Sequence, residues 1–502
     1  MYDPPVRKTF FQSLALALTA FALFFASELV FELWRAGWPL PTATSWVETN
    51  NAKLVDLLSP VARAYNNVLA MLIATIGLAI PLTANMHTPK LIEMFIRDRL
   101  NQAVLFGGAF FAANVLWVDY IVGPHFAPTI AIAIAVGGAL VGWALLIPYF
   151  FYVVRFLDPS NILLRLEREV IRSIDDTAAG RVQPNDAQAI VHERLQEIGT
   201  IVVKSLDRTD RDVALQGIWI FKRLLDHHGA VKSRMPAAWF EVDRADFVGL
   251  SAEAIALVQE EHVFFERKVL QQLFFAYSHA IGKAADVASS ISDANRVVAI
   301  HAAQRKDEAA LELSLRYFNN YLRESMRVKH VRSIFDVFLQ YRLLAEQLHD
   351  RPKLVRQIAR HMAAYANDAR KQGIGAVPSF AAFDLAELAI ESFTSTREVA
   401  SDVLEAALSV TSGNTAHDDM LVEARIKLGG ALLGMGAEDA AERVRASLQG
   451  LAESELRRCA DDLLSAPRAY HEVTDRQLDM RWTPPEARAD IERFVGVCTA
   501  AE

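Results

Sequence analysis

The chain has 502 residues, 52% of them hydrophobic and 22% charged, and a formal net charge of -8. That length holds more than one domain, and the acidic balance excludes a general nucleic-acid binder, which needs a basic footprint. Residues 1–154 carry eight basic and eight acidic side chains, so the excess comes from the remaining 44 basic and 52 acidic ones. Cys459 and Cys498 stand in no CxxC or zinc spacing and are expected to be reduced thiols.

A hydrocarbon core of about 30 Å takes about 20 apolar residues per helix. Four stretches meet that length: 10–31, 63–82, 103–121 and 129–154. Arg7 and Lys8 before the first resemble a signal sequence, but the run is long for one and the chain starts at Met1. It is therefore expected to be a retained span. Near its outer end Glu28 and Glu32 lie one turn apart. They are a candidate acidic pair for ion binding, or a snorkelling pair satisfied by Arg35. No acid or base occupies the middle of a span, which weakens a proton-coupled pump.

In the second span Asn67, Ala70, Ala74, Gly77, Pro81 and Asn85 recur every three or four residues. They form one small or polar face, read either as a packing seam or as a pore lining. Pro81 has no N–H and displaces the carbonyl of Gly77, so a kink is expected. After it, Thr88 and Pro89 suit an N-cap and first helical position. An elbow helix is expected over 88–102, with Lys90, Arg97 and Arg99 as a lipid-facing basic set and Glu93–Arg97 as a favourable i,i+4 pair. Gly108 with Ala112, and Gly138 with Gly142, permit close helix packing in the third and fourth spans. Arg7, Lys8, Lys90, Arg97, Arg99 and Arg155 all fall on one side of four alternating spans. By the positive-inside rule that side, with both termini, is cytoplasmic.

From Asp158-Pro159 onward the pattern is amphipathic helix after helix, as in Asp212–His227, Ala252–Tyr277, Glu308–Met326, Ile334–Leu348, Lys353–Lys371 and Thr415–Leu433. Thr209 is a candidate cap, and breaks are expected at Gly229, Gly282, Gly373, Gly375, Gly413-Asn414 and Pro467. The sequence shows no strict repeat period, so a loose α-solenoid of the HEAT or TPR class is expected. His227-His228 reads as a metal pair or as a complement to the helix dipole. GGALLGMG (429–436) ends a helix with no strand before it and is not a phosphate loop. Arg323, Arg327, Lys329, His330 and Arg332 form a local basic run, either a solvated face or a site for an acidic partner.

The stretch TIGLAIPLTANMHTPKLIEMFIRDRLNQAVLFGGAF, with Pro89, Phe95, Arg97, Asp98, Arg99, Asn101 and Gln102, resembles a bacterial family of inner-membrane proteins of unknown function. The resemblance covers about 63–225. It implies four spans, an elbow and a cytoplasmic region, and brings no activity. Where that family usually has Asn-Asp-Pro, this chain reads Asp207-Arg208-Thr209-Asp210.

The expectation is an all-α protein of two parts: a four-helix transmembrane domain over 1–155 and a cytoplasmic α-solenoid-like domain over 156–502. Its function is read as a homo-oligomeric inner-membrane assembly, an ion channel gated through the helical domain. The alternative is a membrane-anchored scaffold that recruits soluble proteins. Expected partners are membrane lipid, further copies of the chain and a cytoplasmic protein, without nucleic acid. No catalytic, cofactor or metal residues are assigned.

Overall fold

In a computed structural model the described residues are 19, 51–86, 91–122, 129–242, 247, 251–412, 415–468 and 479–500. The first span apart from Thr19, with Glu28 and Glu32 in and beside it, as well as Thr88, Pro89, Lys90, residues 123–128 and Gly413-Asn414, lies outside them. The described residues form nineteen α-helices with short 3-10 turns, and no strand occurs among them. The chain divides into two units, Met1–Arg165 and Leu166–Glu502.

The first unit contains α1 (Asn51–Met86), α2 (Leu91–Arg97), α3 (Arg99–Ile121) and α4 (Thr129–Leu157). Among the described residues three helices are long and apolar enough to cross a membrane, over Leu58–Asn85, Arg99–Tyr120 and Ala131–Leu157. α1 starts well before the expected span because Pro60, like Pro81, stays inside the helix and deletes only its own donor. The elbow is shorter than expected, because the helix stops at Arg97 and restarts at Arg99. Asp98 between them has an extended backbone (φ −70°, ψ 120°). Asn101 and Gln102 therefore belong to α3.

Small residues bring α1, α3 and α4 together. A Cβ on Gly142 would lie 2.4 Å from the Tyr65 ring, one on Gly138 2.5 Å from Phe111, and one on Gly108 3.1 Å from Leu69. Ala112 is buried with Tyr65 and Ala139.

After Asp158 comes α5 (Pro159–Ala178), within which the division between the two units falls. The second unit continues with α6 (Pro184–Asp207), α7 (Arg211–Val231), α8 (Ala252–Glu260), α9 (Phe264–Ala280) and α10 (Ala285–Gln304). Then come α11 (Glu308–Arg327), α12 (Val331–Gln347), α13 (Pro352–Lys371), α14 (Ala376–Ser395) and α15 (Ala400–Leu408). The last four are α16 (Thr415–Gly434), α17 (Glu438–Ala446), α18 (Glu453–Ser465) and α19 (Pro485–Thr499). One row packs in the order α7, α10, α12, α14, α16 and α19, and a second in the order α6, α9, α11, α13 and α15. Two rows of antiparallel helices are an α-solenoid.

A repeat spacing emerges from the contacts. Side-chain bonds between neighbouring hairpins join Ser292 to Asp336 and Arg296 to Gln340 at a separation of 44, and Asn319 to His361, Arg342 to Asp384 and Asn367 to Ser409 at 42. That is the length of a HEAT-class unit. The turns repeat as well. His262 and Lys306, and then Lys329 and Gly373, are 44 residues apart and all have positive φ. At each, the next amide bonds a carbonyl five residues back, as in Asp307 N to Ala302 O (2.9 Å) and Ile374 N to Ala369 O (2.9 Å). This is the Schellman closure.

Three expectations change. Ala252–Tyr277 is two helices, because His262 (φ 56°) turns left-handed between them. Thr209 does not cap α7. It takes the left-handed position (φ 61°), and Asp210 accepts from Val213 N at 3.3 Å. Gly229 does not break α7 but lies inside it, against the Arg305 guanidinium.

Gly429, Gly430 and Gly434 form the crossing of α16 on α19. Cβ atoms there would lie 2.2 Å from Phe494, 2.6 Å from Ile491 and 2.3 Å from Asp490. Gly430→Val should destabilise the array by about 1–3 kcal/mol, because Ile491 backbone leaves no room. Gly496→Ala meets nothing within 4 Å and should stabilise α19 by up to about 1 kcal/mol. Chemical unfolding of the two variants measures this; equal stabilities would contradict the crossing.

Candidate functional site: the elbow and the outward face of α1

The elbow is built around Asp98. Its carboxylate accepts from the amides of Leu100 and Asn101, both at 3.0 Å, and so caps α3. Asn101 donates its amide N–H to Phe95 O (3.1 Å), and Tyr149 on α4 donates its hydroxyl to Asn101 Oδ1 (3.2 Å). Tyr152 bonds the Asp98 carboxylate. Gln102 closes the outer side by donating to Ile96 O at 3.0 Å. Phe95 meets Phe156 edge-on at 5.4 Å, and the Arg165 guanidinium lies 4.4 Å from the same Phe156 ring. Burial raises the Asp98 carboxyl above the usual carboxylate range, opposed by the Asn101 amide, the Tyr152 hydroxyl and Arg165.

Phe95, Asp98, Asn101 and Gln102 thus hold a chain reversal, whereas Arg97 and Arg99 are exposed. Arg97 pairs with Glu93 at 2.7 Å. Such an exposed pair contributes little to stability.

The six residues of the α1 stripe, Asn67, Ala70, Ala74, Gly77, Pro81 and Asn85, are all exposed and turned out of the bundle. The packed stripe is instead Leu58, Ala62, Tyr65, Ile76, Ile80 and Ala84. A Cβ on Gly77 would meet nothing within 4 Å. Pro81 leaves the Gly77 carbonyl without its helical donor. Two turns of α1 also carry back-bonding hydroxyls, Thr75 to Met71 O (2.8 Å) and Thr83 to Ala79 O (2.9 Å).

In the second unit, His227 and His228 point to different partners. His227 Nε2 lies 2.9 Å from Asp175 Oδ1. His228, fully buried, faces Glu266 Oε1 through Nδ1 (3.0 Å) and accepts the Trp239 indole N–H at Nε2 (3.1 Å). An indole has only a donor to offer. Nε2 therefore acts as the acceptor and Nδ1 faces Glu266, which Lys232 also approaches at 3.2 Å. Lys232 also holds Asp307 at 2.6 Å. Against its burial, Glu266 is held low by the facing His228 and by Lys232. Among the described residues no three metal-capable side chains converge.

The basic run is dispersed. Arg327 pairs with Glu324 (2.6 Å), Lys329 occupies a turn, and His330 caps α12. Arg323 and Arg327 line a groove of 620 Å³ between α11 and α13 that also contains Met326, His361, Tyr365 and Asp368.

Two constellations escaped the sequence reading. Tyr149 and Tyr152 clamp the elbow, although position alone marks them only as interface aromatics. Glu423, 3% exposed, has one carboxylate oxygen without a hydrogen-bond partner. Burial raises it to about 7, Asp462, Asp419 and Asp479 add to the rise, and Arg481 opposes it. No local pattern marks that cluster, because its members come from α16, α18 and the segment before α19. Beside it, burial pushes the Cys459 thiol up to about 12.

A bundle of long apolar helices with a capped polar elbow defines an all-α membrane protein. Residues 7–206 match the family described as "Predicted membrane protein (DUF2254)", whose function is unknown. No curated protein matches the chain. A solved structure described as "Circular tandem repeat protein with novel repeat topology and enhanced subunit contact surfaces" aligns with 90% of this chain and 97% of its own length. The identity is 13% and the TM-score 0.25, a likeness that carries no argument.

Asp98→Ala should weaken the start of α3 by about 1 kcal/mol. Hydrogen exchange at the Leu100 and Asn101 amides is expected to speed up, and unchanged exchange would contradict the cap. For Glu423 the folded value lies above the unfolded one, so the folded state binds the extra proton. Its stability contribution is full below about pH 4.5 and is lost as the pH rises through about 7. Glu423→Gln should flatten that decline in thermal unfolding between these two values, and an unaltered pH profile would sink the assignment.

Proposed function

We propose that this membrane protein is a homo-oligomeric assembly of the bacterial inner membrane, in which the outward face of α1 meets its counterpart on other copies and lines an ion path. The observation that carries this reading is the exposure of the whole stripe from Asn67 to Asn85 while the opposite stripe of α1 is packed. In hydrocarbon a carbonyl freed by Pro81 needs protein or water. Small residues at Ala70, Ala74 and Gly77 allow two helices, or a helix and a water column, to approach closely. The end bearing Arg97, Arg99 and Arg155 is cytoplasmic in this arrangement. The helical array is then the cytoplasmic part that gates the path. In this reading the assembly works without catalysis.

The groove between α11 and α13 favours a second reading, a membrane-anchored scaffold whose array recruits a soluble protein.

Cysteine at Ala74 or Gly77 of the full chain should form inter-chain disulfides in membranes. Reconstituted protein should conduct, with Ala74→Trp reducing the current several-fold. Pairing of those cysteines with one placed in residues 10–31 of the same chain would overturn the oligomer. Cross-linked but electrically silent protein would sink the channel and leave the scaffold.

A further inference from the structure

We propose that the bundle binds a phospholipid with one acyl chain between α1, α3 and α4 and its anionic headgroup at Arg99. The site is a cavity of 270 Å³ enclosed by Leu69 and Leu72 of α1, Val104 and Gly107 of α3, and Leu145 and Leu146 of α4. Along α3 its wall runs from Leu100 to Phe111. At 1.5 Å per residue that is about 16 Å. The volume is therefore drawn out along the helices, which suits a hydrocarbon chain better than a compact ring system.

The surroundings select the occupant. All three walls are helices apolar enough to lie in hydrocarbon, so the medium at the cavity mouth is lipid. Apolar walls forfeit dispersion contacts unless hydrocarbon meets them. Gly107 is what keeps the space open: a Cβ there would touch nothing within 4 Å, whereas Gly108 beside it is already against Leu69.

The headgroup end follows from the elbow. Leu100 lies at the cavity's lower wall, and Arg99, one residue earlier, is exposed. Among the described residues Arg99 makes no ion pair, while Arg97 is engaged by Glu93. A guanidinium takes a phosphate through two parallel hydrogen bonds. The chain site and the charge site are thus adjacent, at the end where α3 begins. The inference rests on the helices lying in the bilayer and is independent of whether copies assemble.

The test uses the full chain, purified in mild detergent from nanodiscs containing phosphatidylglycerol and phosphatidylethanolamine. Retained phospholipid is counted by native mass spectrometry and by extraction. Wild type should retain phospholipid, with phosphatidylglycerol enriched over the input mixture. Gly107→Leu, whose Cβ meets nothing within 4 Å, extends a side chain into the cavity and should lower retention several-fold at unchanged oligomer mass. Val68→Trp fills it from the opposite wall and should do the same, which keeps the test open if one variant misfolds. Arg99→Gln should abolish the phosphatidylglycerol preference. Undiminished retention in both filled variants would overturn the site. So would a disulfide joining cysteines placed at Gly107 and Ala20, because protein rather than lipid would then occupy the cavity.

Discussion

The Asp98 cap is the constraint on which the membrane unit depends. A chain that reverses between two apolar helices exposes the first amides of the second helix, where no carbonyl precedes them. Close to lipid those donors cannot be left to chance. Asp98 takes two of them, and Asn101 then carries the turn into α4 through the Tyr149 hydroxyl. With the reversal held, Gly138 and Gly142 of α4 fall opposite Phe111 and Tyr65. The bundle is therefore held at one end by hydrogen bonds and along its length by aromatic rings seated on glycines.

The same division recurs in the helical array. Tight left-handed turns set each hairpin, and polar bonds between hairpins hold them in register. Asp336 and Asp384 are buried, yet each meets a partner 42–44 residues away, on the preceding helix of the same row. A buried carboxylate without such a partner would be costly. Helix pairs cannot slide past one another without breaking those bonds. Period and register thus have one cause, although residue identity varies between repeats.

Much of the organisation was legible in the sequence. Length and apolarity define the spans Leu58–Asn85, Arg99–Tyr120 and Ala131–Leu157, because hydrocarbon thickness dictates both. The amphipathic pattern after Pro159 locates α7, α11, α12, α13 and α16 to within a few residues. It failed at His262, where a histidine does what glycine usually does, and at Gly229, where a glycine serves packing rather than a turn. Both failures have one origin: local propensity cannot reveal whether a neighbour needs the space.

The sequence by itself determined that this is an all-helical protein with apolar helices of membrane length and a long amphipathic array. Those properties follow from periodicity and from the cost of exposing backbone or apolar surface. Only the tertiary structure decided which stripe of α1 is packed. Ile76 and Ile80 are buried while Ala74 and Gly77 are exposed, and either stripe has the spacing of a helix face. It also decided that Phe95, Asp98 and Asn101 form one clamp with two tyrosines some fifty residues later, and that Glu423 shares a site with Asp462 of α18 and Asp479 of the segment before α19. Such choices depend on distances between segments remote in the chain, and spacing along the chain carries no record of them.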